Sequence, residues 1–258
     1  MKKLVWRASG LMSLAFFSMQ TPLFAQAPAP ATAVNTIYDE QNPVQAPDGQ
    51  LYFTIGYHPS NKGGATDPGD VYRSRNLEQA AEPVSDLSTQ SLDVLVGFPD
   101  AQTAYVYHAR GPLGQGVHRY LKSGSNWNLV GMLKMGNFRN NSNHFSGRLL
   151  ADGKTILMAM NSFGSFGNDD LYVSTQMEGD NWTSPVNLGP VVNTFAEEQS
   201  PFYDEKNGIL YFSSNQADSR GGKEVFYAVR QGEDWTSWSR PKPFEIPGAL
   251  GAKQVLCS

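Results

Sequence analysis

Among 258 residues, the side chains best suited to chemistry are two adjacent acidic pairs, Asp169-Asp170 and Glu197-Glu198. Carboxyl groups held on either side of one bond can divide the acid and the base or nucleophile roles of glycoside cleavage. The same oxygens can hold a calcium ion, and Asp169 and Asp170 in "NDDLY" are the residues expected to do so if calcium binds. Other chemistry finds little support. His58, His108, His118 and His144 lack a zinc spacing such as HExxH, and no GxSxG elbow occurs. Gly221-Gly222 precedes a strand pattern, whereas a phosphate cradle needs a helix N-terminus after its glycines. No cofactor other than that ion is expected.

The elements that must position these carboxylates repeat along the chain. "GQLYFTIG", "QTAYVYHA", "GKTILMAMN" and "GILYFSSN" align at Leu51, Ala104, Ile156 and Leu210, which lie 53, 52 and 54 residues apart. A fixed period of this kind marks a repeat architecture. A second landmark follows each: "GDVYRS", "GVHRYL", "DDLYVS" and "KEVFYA". A third carries tryptophan or proline: "AEPVSDL", "NWNLVGM", "NWTSPVNL" and "SWSRPKPF". A short strand with a polar turn comes before each first landmark. Asp48-Gly49, Asp152-Gly153 and Asn207-Gly208 are dipeptides that tight hairpins favour, because those turns need positive φ. Outside the first residues no helical period is sustained.

Four antiparallel strands per unit of about fifty residues is one propeller blade. The expected fold is therefore all-β, a β-propeller over residues 40–258 with blades near 40–88, 89–135, 143–192 and 197–248. Trp127, Trp182 and Trp238 should pack in the core near each outer strand. A fifth unit would begin at Val255-Leu256. Either four blades close a small ring with the tail as an extra strand, or the chain is the truncated remnant of a longer propeller. The repeat also assigns the glycine loops to hairpin geometry, since they recur at the blade period. Asp170 shares its repeat position with Asp70 and Glu224, which fits a strand-end role.

Composition bounds the setting. Hydrophobic content is 40% and charged content 17%, within the globular range. Lys2, Lys3 and Arg7 precede the apolar run "LMSLAFFSM" and the small-residue exit Ala25-Gln26-Ala27. This is the pattern of a cleaved secretory signal over residues 1–27, followed by a Pro/Ala-rich leader over 28–39. The expected location is the periplasm, with no membrane insertion after cleavage. Loss of three basic residues takes the net charge from −4 to −7, which argues against nucleic acid or anionic membrane as partner. Cys257 is the single cysteine, so no internal disulfide can form.

"EEQSPFYDEKNGILYFSSN…GGKEVFYA" and "NDDLYVSTQMEGDNWTSPVNLGPVVNTFAEEQSPF" resemble the WD-like β-propeller repeat of bacterial envelope proteins, found in TolB and in the periplasmic propeller of OmpA-type proteins. The likeness covers roughly residues 40–248 and is strongest from 143 to 248. The second repeat departs from it, with Asp100-Ala101 at the turn and no outer-strand proline. The resemblance implies a periplasmic propeller that acts by binding, in contact with an envelope protein. The expectation is thus a non-catalytic protein-binding scaffold, not an enzyme. The alternative is a carbohydrate-binding or carbohydrate-cleaving propeller with a glycan partner. "STQMEGDNW" is similar to the aspartate box of sialidases but lacks its Ser-x-Asp start, and that box marks a structural turn. A glycan site should instead present paired carboxylates and an exposed aromatic in one funnel.

Partner residues should come from long polar connections, where loops of several blades converge. "YHPSNKGGATDP" offers His58 and Asn61, and "NFRNNSNHFS" offers Arg139, Asn140 and His144. "NTFAEEQS" offers Asn193, Glu197, Glu198 and Gln199.

Overall fold

A computed structural model describes residues 33–216, 219 and 222–244. Within them the chain is an all-β propeller of four antiparallel blades. Blade 1 comprises β1 (Asp39–Gln45), β2 (Leu51–Gly56), β3 (Asp70–Ser74) and β4 (Glu82–Pro83). Blade 2 comprises β5 (Asp93–Asp100), β6 (Thr103–Gly111), β7 (Gly114–Ser123) and β8 (Asn126–Met132). Blade 3 comprises β9 (Ser146–Leu149), β10 (Thr155–Met160), β11 (Asp170–Glu178), β12 (Asn181–Trp182) and β13 (Val186–Asn187). Blade 4 comprises β14 (Glu198–Asp204), β15 (Ile209–Ser214), β16 (Glu224–Val229) and β17 (Lys242–Pro243). Blades 1, 2 and 4 run in chain order, while in blade 3 β12 and β13 both pair with β11. The residues read as signal and residues 28–32 of the leader, together with Val255, Leu256 and Cys257, lie outside the described residues.

Side-chain alternation explains why the second strands are so apolar. In β10, Ile156, Met158 and Met160 pack toward blade 2, while Leu157 and Ala159 pack toward blade 4. A strand buried on both faces reads as a continuous apolar run. The same division places Tyr105 and Tyr107 of β6 against blade 3, and Ala104 and Val106 against blade 1. Trp127, Trp182 and Trp238 are buried in the three clusters that join blades 1 and 2, 2 and 3, and 3 and 4. Each large side chain so buried contributes about 1.5–3 kcal/mol relative to exposure.

A fourth cluster lies on the other face of blade 1, where Val34 covers Phe53, Ile55 and Tyr72. The outer face of blade 4 has a different surface. There Phe202, Tyr211, Tyr227 and Phe244 stack as a ladder, with Phe202 48% and Val229 39% exposed. Among the described residues no apolar cluster joins blade 4 to blade 1.

The turns follow the dipeptides. Gly49, Gly153 and Gly208 all have positive φ, at 84°, 66° and 67°. The innermost strands carry a second local device. The β1–β2 pairing slips between Gln41 and Val44, and the β14–β15 pairing slips between Gln199 and Phe202. Asn42 and Ser200, one residue into each bulge, have φ of 51° and 52°. These bulges aim backbone and side chains at the axis. The Asn42 amide donates to the carbonyls of Leu95 (2.7 Å) and Gly147 (3.0 Å), so one side chain ties three blades together. The Ser200 N–H donates to Ser146 Oγ at 2.9 Å and ties blade 4 to blade 3.

Candidate functional site: a polar funnel at the axis

The bulged inner strands and the connections beside them surround a central cavity of about 580 Å³. Asp39, Gln41, Tyr57 and Pro68 come from blade 1, and Leu92 from the link to blade 2. Asn141, Ser142, Asn143 and His144 approach from the blade 2–3 connection. Asn161, Asn168 and Asp169 line it from the β10–β11 connection, and Glu197 and Gln199 from the entry to blade 4.

A chain of charge-assisted contacts organises one wall. Gln199 donates to Asp169 Oδ2 at 2.5 Å, and its carbonyl oxygen accepts from Lys223 Nζ. Lys223 also pairs with Glu197 Oε2 at 3.0 Å, and Asn168 donates to Glu197 Oε1 at 3.1 Å. The Lys223 hydrogen bond holds the Glu197 carboxyl below its usual range. On the opposite wall Gln41 donates to Asp39 Oδ2 at 2.7 Å. Burial pushes His144 down, against the pull of the Asp169 carboxylate. Three buried polar atoms that border this cavity have no partner: Gln41 Oε1, His144 Nε2 and Asp169 Oδ1. Buried polar groups are nearly always paired, and three of the unpaired ones belong to residues of this lining.

Tyr57 stands on the rim, 53% exposed, with φ of 58°. A bulky residue in the left-handed region costs about 1–3 kcal/mol and points to a functional constraint.

Of the residues expected at a site, His144, Glu197, Gln199 and Asp169 meet in the funnel. The others serve the fold. Asn61 is buried, donating to the Ile55 carbonyl (2.9 Å) and accepting from Tyr72 (2.8 Å). Asn140 is buried between the His144 carbonyl and the N–H groups of Ser142 and Asn161. Asn193 clamps both backbone groups of Leu171. Glu198 is fully buried and accepts from Thr194 N–H, Thr194 Oγ1 and Ser214 Oγ. Asp93 holds Thr89 in the same way at the entry to blade 2, so Glu198 is a blade-entry clamp. His58 packs between Tyr38 and Tyr72, and exposed Arg139 donates to Asn141, one residue outside the lining.

The adjacent aspartates diverge. Asp170 accepts from the N–H groups of Phe166 (2.8 Å) and Gly167 (3.1 Å) and from Asn187 Nδ2 (2.7 Å), which commits it to the loop. A joint calcium site on Asp169 and Asp170 does not fit this arrangement. Among the described residues no three His, Cys, Asp or Glu side chains are grouped to hold a metal ion.

Asp39, Gln41, Tyr57, Asn141, Asn161 and Asn168 were not expected, nor was Lys223 behind the lining. The first two had a visible marker. "DEQNP" at 39–43 repeats "EEQSP" at 197–201, which makes Asp39 the counterpart of Glu197 and Gln41 that of Gln199.

No family model and no curated protein sequence matches the chain. Solved structures do. TolB from Acinetobacter baumannii is 16% identical with a TM-score of 0.51 over 80% of this chain. The chain spans 43% of that protein's length. An α-L-arabinanase from Penicillium chrysogenum, complexed with arabinobiose, is 12% identical with a TM-score of 0.52, covering 84% of this chain and 69% of that one. An endo-arabinase from Bacteroides thetaiotaomicron is 14% identical at a TM-score of 0.49, over 84% of this chain and 83% of that one. At these identities the likeness shows the β-propeller fold alone. It also corrects one expectation. Propellers of this shape include glycoside hydrolases as well as TolB, so the reading of the chain as a non-enzyme does not stand.

Proposed function

We propose that the central funnel binds a carbohydrate. The observation that carries this reading is a cavity lined by amide and carboxylate side chains from several blades, three of whose residues, Gln41, His144 and Asp169, each keep a buried polar atom without a protein partner. A polyhydroxylated ligand supplies many hydrogen-bonding groups at close spacing. The lining offers matching partners in Asn141, Asn143, Asn161 and Asn168. Tyr57 supplies an exposed aromatic face in the same funnel as the acidic Asp169 and Glu197. Those two side chains also have the types that glycoside cleavage requires. The known arabinose-directed propellers give the reading a precedent in fold.

A glycan array probed with the mature chain tests it. Saturable binding to a defined set of glycans, weakened at least tenfold by Tyr57→Ala, is the expected result. Absence of any bound glycan overturns it. Release of reducing ends from a bound glycan, lost in Glu197→Gln, would assign cleavage to this funnel; binding without release would assign recognition.

Exposed aromatics support a second reading, an envelope protein docking on the rim in the periplasm. Phe163 and Phe195 are 99% and 93% exposed on two connections that touch each other. Cross-linking in the envelope fraction should then capture one reproducible partner, and Phe163→Ser with Phe195→Ser should abolish capture.

A further inference from the structure

Resting on the carbohydrate reading, we propose that the funnel selects a sugar bearing a free amine, bound as its ammonium form against Asp169 and Gln41. Two of the three unpartnered atoms, Asp169 Oδ1 and Gln41 Oε1, are acceptors. Asp169 lines the cavity and is 3% exposed; one of its oxygens accepts from Gln199, and the buried Oδ1 has no donor. Gln41 commits one amide N–H to Asp39, and its buried Oε1, an acceptor, has no partner. His144, a residue of the same lining, carries the third unpartnered atom, Nε2. A hydroxyl brings one donor, whereas an ammonium brings three donors and no competing acceptor.

Charge points the same way. Asp39, Asp169 and Glu197 are acidic residues of the lining, and two cations touch lining residues, Arg139 at Asn141 and Lys223 at Glu197 and Gln199. The Lys223 ammonium is already engaged by Glu197 and Gln199. A carboxylated or sulfated sugar would meet repulsion there, and a cationic one attraction. Calcium suits the site less well, because one of the three free atoms is an imidazole nitrogen and hard cations take oxygen ligands.

β-1,4 oligomers of glucosamine, N-acetylglucosamine and glucose, matched in length, make the test, since they differ only at one carbon. Calorimetry on the mature chain should show the glucosamine oligomer binding at least tenfold more tightly than the other two. Asp169→Asn and, independently, Gln41→Met should erase that preference, while Tyr57→Ala should weaken binding without changing it. Surface Glu78→Gln controls for general attraction between a polycation and an acidic protein. Equal affinities, a loss in Glu78→Gln as large as in Asp169→Asn, or saturable calcium binding that Asp169→Asn removes would each overturn the amine proposal. Preferred binding of a neutral or acidic sugar would overturn it and leave the carbohydrate reading standing. A blank array overturns both.

Discussion

Tyr57 is held in a backbone conformation that favours glycine, with its N–H donating to the Asp67 carbonyl at 2.7 Å and its side chain half exposed. Tyr57→Gly should therefore raise stability by about 1 kcal/mol while weakening the funnel's ligand, measured by urea unfolding and by calorimetry. A destabilised variant with full binding would show that the ring serves the fold. A second residue-scale expectation concerns pH. Asp93 and His108 form a buried pair at 2.5 Å, with the Tyr120 hydroxyl 2.8 Å from the far ring nitrogen. Burial pushes Asp93 up to about 8 and His108 down to about 4. The Asp93 contribution is complete below its unfolded pKa of about 4 and is lost as pH rises through about 8. The His108 contribution is complete above about 6.5 and is lost as pH falls through about 4. The two trends oppose each other between those unfolded values, so the net loss falls between about pH 6.5 and 8. Asp70, pushed up to about 7 by burial, acts in the same direction as Asp93. Unfolding free energy should fall across that window, and Asp93→Asn should flatten the slope. A rise instead would mean that the pair does not retain its proton in the fold.

At the scale of elements, the funnel depends on two connections pressed together. A Cβ on Gly167 would sit 2.0 Å from the Ala196 carbonyl oxygen. Gly167→Ala should force the β10–β11 connection away from the entry to blade 4, break the Asn168–Glu197 contact, and cost about 1–3 kcal/mol in thermal or urea unfolding. An unchanged melt and unchanged ligand affinity would show that the loops are not packed in this way. These elements also show what the sequence discloses. The strands were legible because apolar runs, Asp-Gly turns and the blade period all agree. Glu198 and Asn193 were misread because a polar residue in a long connection looks the same whether it faces solvent or clamps a backbone N–H. Asp39 and Gln41 escaped notice although "DEQNP" repeats "EEQSP", because the earlier copy sits where a leader appeared to end. Tyr57 had no marker, since a single residue's φ leaves no trace in composition.

For the whole molecule, unequal burial sets unequal stability. Blades 2 and 3 each share two apolar clusters with neighbours, whereas blade 4 shares one, with blade 3. In a repeat protein, where stability is close to a sum over neighbouring interfaces, a unit that shares fewer interfaces opens before one that shares more. Amides of β15 and β16 should exchange with deuterium faster than those of β6 and β10, and uniform protection would contradict this account. The funnel bridges blades 1 and 4, which share no apolar cluster among the described residues, with Asp39 and Gln41 on blade 1 and Glu197 and Gln199 on blade 4. A ligand gripping both sides works as a rivet. By mass action its binding free energy is added to the docking of the last blade. Occupancy would then be announced at a distance, as stiffness of an outer surface that another molecule can feel without ever reaching the sugar.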